Sequence, residues 1–171
     1  VRPAAALVLL VWLLAACGYH AAGRADLLPP NLRTIAIPAF HNSTVRYKLT
    51  DWMPEALARE FISHTRYRVV SDPARADMVL QGAILNYSFN PTIFDPQAQR
   101  ANVADLRVTL QVTLTERSTG RVLFQRPRLE IKESYQISPD ASEYFEESDL
   151  ALRRASRRVA QQVVTSILES F

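Results

Sequence analysis

Cysteine occurs once in the 171 residues, at Cys17, so no disulfide can form within the chain. A catalytic or metal-bound thiol needs His or Asp partners held beside it. The three histidines, His20, His41 and His64, are scattered. Only Glu60 and His64 share a helical i,i+4 spacing, which makes a surface pair rather than half of a metal site. Glycine is scarce, at Gly18, Gly23, Gly82 and Gly120, whereas phosphate-cradling loops and nucleophile elbows need clustered glycines. Gly18 and Gly23 have the outer spacing of such a loop, but Arg24-Ala25 follows where Lys-Ser/Thr is required. No catalytic residue, metal site or bound cofactor is expected, and the chain is read as a non-enzyme.

The chemistry open to Cys17 is set by what precedes it. One basic residue, Arg2, stands before the uncharged apolar stretch Ala4 to Leu13, and Leu14-Ala15-Ala16 lead into the thiol. Charge, short apolar core and small residues, in that order, form a secretory signal peptide. The run is shorter than the roughly 20 apolar residues that span a bilayer. With the cysteine in last place the segment resembles the bacterial lipobox, where the thiol receives a diacylglycerol and the chain is cut just before it. Residues 1–16 are therefore expected to be removed and Cys17 to carry an S-diacylglycerol and an N-acyl chain, palmitate among them. Residues 17–33 then form a lipidated tether, stiffened at Pro29-Pro30. One acyl chain holds a protein only marginally, while two or more anchor it stably.

What remains, 34–171, has the size of one domain. Signal removal takes away only Arg2, leaving 19 basic and 17 acidic residues. That balance is too even to argue for nucleic acid, which calls for clustered positive charge, and no nucleic-acid partner is expected.

Periodicity supplies the scaffold. Thr34 to Phe40 is a β-branched run broken by Pro38, a first strand, with a polar loop from His41 to Lys48. A first helix is predicted from Thr50 to Thr65, capped by Thr50 or Asp51 and buried along Leu49, Met53, Leu57 and Phe61. After a short extended segment at Tyr67–Val70, three long strands are expected over Met78–Phe89, Leu106–Thr115 and Val122–Ser134. The middle one alternates most cleanly, with Leu106, Val108, Leu110, Val112 and Leu114 against Arg107, Thr109, Gln111, Thr113 and Thr115. Such alternation belongs to a sheet buried on one face. Ser118-Thr119-Gly120 closes a hairpin, and Pro127 marks a bulge or an edge. A final helix is predicted over Asp149–Glu169, its apolar arc flanked by Arg153 and Arg157. The expected fold is α+β, a two-layer sandwich of two amphipathic helices on one face of a four-stranded sheet, in the order β-α-β-β-β-α.

Several segments together resemble one family. They are Cys17-Gly18-Tyr19-His20, Leu32 to Pro38, Phe40 to Thr44, Leu57 to Phe61, Tyr67 to Val70 and Ala76 to Gly82, followed by the terminal helix. In this order the chain resembles the LPS-assembly lipoproteins (LptE). The resemblance implies an outer-membrane lipoprotein, anchored in the inner leaflet with its domain on the periplasmic side. It further implies a domain that plugs the large LPS-inserting β-barrel, assists its assembly and binds LPS. An anionic ligand calls for Arg or Lys, and the candidates are Arg100, Lys132, Arg153 and Arg157. A second resemblance, carried by Ile35 to Phe40 and Arg66 to Ser71, is to lipoproteins of secretion pores or activators of penicillin-binding proteins, implying an oligomeric channel component or an envelope regulator.

Overall fold

The computed structural model describes residues 31–95, 100–137 and 141–170, with side chains outside 93–95, 100–102 and 141–147. Cys17, the signal segment and the tether up to Pro30 lie outside the described residues. The described elements run β1 (Thr34–Ala36), β2 (His41–Asn42), α1 (Leu49–His64), β3 (Arg68–Val70), β4 (Met78–Asp95), β5 (Arg100–Glu116), β6 (Val122–Gln136) and α2 (Ala141–Glu169), with a 3-10 turn at Pro73–Arg75 before β4.

The fold is α+β with two helices, as the periodicity predicts, but the sheet has six strands rather than four. Its order is β3-β1-β4-β5-β6, and β2 pairs with β4 beside β1. The two extra strands are the extended segment Arg68–Val70 and residues His41–Asn42 of the expected loop. Both are too short to show alternation. The first pairs in parallel with β1 as an edge, the second in parallel with β4. The three long strands also exceed their predicted ends. Beyond Ile84, β4 has a neighbour only on its β5 side, so Pro91 costs no ladder bond and the strand runs on to Asp95.

Two bulges keep the long strands apolar toward the helices. Met78, Leu80 and Ile84 are buried, then Leu85 is skipped in the register with β5, and Tyr87 and Phe89 become the inward residues. On β6 the register passes from Leu129 opposite Leu110 to Arg126 opposite Val112, leaving Pro127 and Arg128 against one residue of β5. Inward parity thereby changes from Phe124 to Leu129, Ile131 and Tyr135. Pro127 is thus both in a bulge and on the edge strand.

The first helix begins at Leu49 after Lys48, which gives no side-chain cap, so the expected caps Thr50 and Asp51 lie inside it. The preceding turn does their work: the N–H groups of Leu49 and Thr50 donate to the carbonyls of Arg46 and Tyr47 at 3.1 and 3.0 Å. That turn is organised by Asn42. Its amide donates to the Arg46 carbonyl at 2.9 Å, and its Oδ1 accepts from the N–H and hydroxyl of Thr44 at 2.9 and 2.8 Å. The second helix starts at Ala141, two turns before the predicted Asp149, because the acidic stretch that reads as loop suits the positive end of a helix dipole. α1 packs on β2, β3 and α2, and α2 covers β5 and β6. The core between the layers is filled by residues such as Leu57, Phe61, Leu110, Leu114, Val159 and Val163.

Three residues knit β1, β4 and α1 together. Pro54 has no N–H, so the Thr50 carbonyl one turn earlier lacks its helical donor. The N–H of Phe40, between β1 and β2, donates to that carbonyl at 3.2 Å. The Phe40 ring is buried and lies flat against Gly82 of β4, where a Cβ would fall 2.1 Å from the ring. At the other end of β1, Asp77 clasps the chain. Its Oδ2 accepts from the N–H groups of Arg33 and Thr34 and from the Thr34 hydroxyl at 2.8, 2.9 and 2.8 Å. These donors, the Arg33 N–H first, hold the Asp77 carboxyl below the usual carboxylate range.

Gly82→Ala is expected to destabilise the domain by about 3 kcal/mol or more, the upper range of overpacking. Combining it with Phe40→Leu should cost less than the sum of the two single changes, measured by urea unfolding; additive losses would show that the ring is not the obstacle. For Asp77 the depressed folded pKa means that its stabilisation is complete above the unfolded value of about 4 and is lost as pH falls through the folded one. The stability gap between wild type and Asp77→Asn should therefore be constant from neutral pH down to about 5 and narrow below about 4. A gap independent of pH would refute the assignment.

Candidate functional site

The outward face of the sheet presents polar side chains along β5 and β6. Its centre is β5, where Arg107, Gln111, Thr113 and Thr115 alternate with the buried row. Lys132 stands directly opposite Arg107 across the β5–β6 ladder, a like-charged pair that would repel. Each is answered by a diagonal acid. Arg107 Nε lies 3.1 Å from Glu130, and Lys132 Nζ lies 2.7 Å from Asp105, which also accepts from the Ser134 hydroxyl at 2.6 Å. The Lys132 bond, then that of Ser134, lowers the Asp105 pKa. The face thus carries charge that is locally paired and hydroxyls and amides that can meet sugar or phosphate. Beside it, at the β1–β2 connection around Pro38, His41, Gln81, Gln111 and Thr113 line a concavity of about 400 Å³.

The other predicted basic residues lie elsewhere. Arg153 sits on the helix layer with its guanidinium 4.3 Å from the Trp52 ring centroid, a cation–π contact. Arg157 is exposed one turn on, and both line a cleft of about 320 Å³ between α1 and α2 with Glu55 and Arg59. Arg100 opens β5 opposite Asp95, at the far end of the β4–β5 hairpin, and its side chain lies outside the described ones. The four candidates therefore do not converge on one site. The residue that does approach Lys132 is Arg158: the two line a groove of about 650 Å³ between β6 and α2 with Gln161, Gln162 and Thr165.

Sequence reasoning also missed Glu133. This carboxylate points inward on β6, is only 7% exposed, and is held by Arg154 Nε at 3.0 Å and Arg158 Nε at 3.1 Å. Arg154 and Arg158 thus tie α2 to the sheet edge. Only the change of parity at Pro127 reveals that Glu133 faces inward, and the sequence marks that site only by its proline. Among the described residues no group of three His, Cys, Asp or Glu could hold a metal ion, and no helix is long and apolar enough to cross a membrane.

Comparison with known proteins now adds what geometry cannot. A family model described as LptE, lipopolysaccharide-assembly, matches residues 32–167. The chain belongs to this family. Membership supports a role in lipopolysaccharide assembly and a place in the cell envelope. Among solved structures, the rare lipoprotein B from Shewanella oneidensis is 15% identical with a TM-score of 0.53, covering 81% of this chain and 96% of its own. A minor lipoprotein from Acinetobacter baumannii is likewise 15% identical with a TM-score of 0.53, covering 82% and 94%. A hypothetical protein from Chlamydia trachomatis has a TM-score of 0.57 at 13% identity, covering 80% and 96%. At such identities these structures share the fold. Comparison with the curated proteins found no match.

The buried carboxylate gives an ordered prediction. Glu133→Gln frees two arginines that water can reach, and should cost about 1–2 kcal/mol. Arg154→Ala with Arg158→Ala strands the charge in a buried position and should cost more, about 3 kcal/mol or above. Urea unfolding of both decides it, and the reverse order would mean that the carboxylate is not buried in solution.

Proposed function

We propose that this chain is a lipid-anchored protein of the outer membrane, tethered through Cys17, whose domain plugs the lumen of the large LPS-inserting β-barrel. There it assists barrel assembly and binds LPS on its way to the outer leaflet, without enzymatic chemistry. The observation that carries this reading is the outward sheet face of a chain in the LPS-assembly family. Barrel lumens are lined by polar side chains, and a plug needs a surface that meets them without leaving charge unpaired. The diagonal pairs Arg107–Glu130 and Lys132–Asp105 meet that need. Hydroxyls and amides on the same face offer hydrogen bonds to either lumen or saccharide.

Lys132 is the candidate best placed for an anionic ligand in this reading, since its ammonium is half exposed on that face and its acid partner is also held by Ser134. A phosphate could displace Asp105 without leaving it bare. Arg153 and Arg157, on the helix layer, would contact LPS only from the opposite side of the domain.

A tagged chain purified from outer membranes should bring down a large β-barrel protein in equal amount. A homo-oligomeric ring or a cell-wall synthase in its place would favour the pore or activator reading, and no large barrel at all would sink the plug. Within the same preparation, Lys132→Glu should weaken LPS retention about tenfold or more, the scale of one charged hydrogen bond, and Arg100→Glu should act in the same direction. Unchanged retention in both would remove them as ligands.

A further inference from the structure

The registers of the sheet, parallel at β1 and antiparallel along β4, β5 and β6, bring many chain segments to one end of the domain. Thr34 pairs with Arg68, Ile35 with Met78, Met78 with Glu116 and Thr115 with Val122. The described chain therefore enters, at Asn31 to Arg33, beside the last turn of α1, the 3-10 turn and the β5–β6 turn. Charge is uneven here. Arg33, Arg66, Arg68, Arg75, Arg117 and Arg121 are all exposed at this end. Carboxylates accompany them, Glu60 of α1 among them, which lies 3.1 Å from His64. Asp77 is occupied by backbone donors of β1, and Glu116, itself buried, accepts from Thr119 at 2.7 Å and lies 3.3 Å from Arg121. Asp72 caps Ala74 in the 3-10 turn. The acids are thus engaged by the fold, while arginines form the rim. Two large apolar side chains are exposed on the same end, Ile62 at 60% and Val122 at 53%.

From this end the chain leads back 14 residues to Cys17, a length that spans at most about 50 Å, so an anchor at Cys17 is tied to the end that carries the arginine rim. We propose that this end is an electrostatic docking surface for the anionic phospholipid headgroups of the leaflet that holds the anchor, with Ile62 and Val122 reaching the interface between the cations. The inference rests on the reading of Cys17 as lipidated. Its physical basis is general: basic residues near an anionic surface are attracted within a Debye length, and a tether keeps the two surfaces at high effective concentration. The rim thereby orients the domain. With this end on the membrane, the β4–β5 hairpin and Arg100 point away from the leaflet, and the polar sheet face stands upright upon it.

The test uses the lipidated protein purified from membranes, with Ser118→Cys in the β5–β6 turn carrying a donor dye. It is reconstituted in vesicles of phosphatidylcholine alone or with added phosphatidylglycerol, each holding a headgroup acceptor. Energy transfer should be higher in the anionic vesicles and should fall to the neutral value in concentrated salt. Arg66→Glu, Arg68→Glu and Arg75→Glu together should abolish the difference, each lowering the docked-to-free ratio about fivefold or more. Arg153→Glu with Arg157→Glu, on the helix layer, should leave it. Equal transfer in both vesicle types, or a rim reversal without effect, overturns the docking while the anchor stands. A protein that fails to float with neutral vesicles overturns the anchor, and the docking with it.

Discussion

The seating of one aromatic ring on one glycine governs how this fold closes. Phe40 leaves β1 at a proline, drops its ring onto Gly82 and gives its N–H to a carbonyl that Pro54 leaves free in α1. A helix proline is ordinarily a defect whose freed carbonyl needs water or another partner. Here the partner is the connection between β1 and β2, so the defect in the helix and the break in the strand are satisfied together. β1, β2 and α1 have few other bonds to fix their relative position, since the two strands have five residues between them.

Around that junction the two faces of the sheet carry different physics. Toward the helices, burial demands apolar side chains in unbroken rows, and the bulges at Leu85 and Pro127 restore those rows where the strand twist would lose them. Away from the helices no such demand acts, and ion pairs run diagonally across the ladder. Glu133 is where the two regimes meet, because it is a buried acid on the inner face but at the sheet's edge, within reach of the α2 arginines.

Much of this was legible in the residues. The rows Leu49–Met53–Leu57–Phe61 and Leu106 to Leu114 were readable because each runs long enough to show the period of a helix or of a half-buried strand. Gly120, at φ +71°, had only its turn to serve. Segments of two or three residues were not readable as strands, since β2 and β3 owe their conformation to partners distant in sequence. Asn42 fell within the predicted loop, and it does organise a loop, but from within a strand. The candidate cations were legible only as types. Lys132 and Arg158 are 26 positions apart, and no local pattern states that a helix returns along that strand. Asp105 and Glu130 as partners depended on a register that Pro127 shifts by one residue.

The edge formed by β6 has a consequence for life in a crowded compartment. A strand of 15 residues with one open side is a template on which other chains can add, the first step of aggregation. Pro127 removes a donor in mid-strand, its bulge twists the edge out of line, and Arg126 and Arg128 beside it place like charge wherever two copies would meet in register. The proline that obscures the parity of the strand also keeps a concentrated population of these domains from polymerising edge to edge.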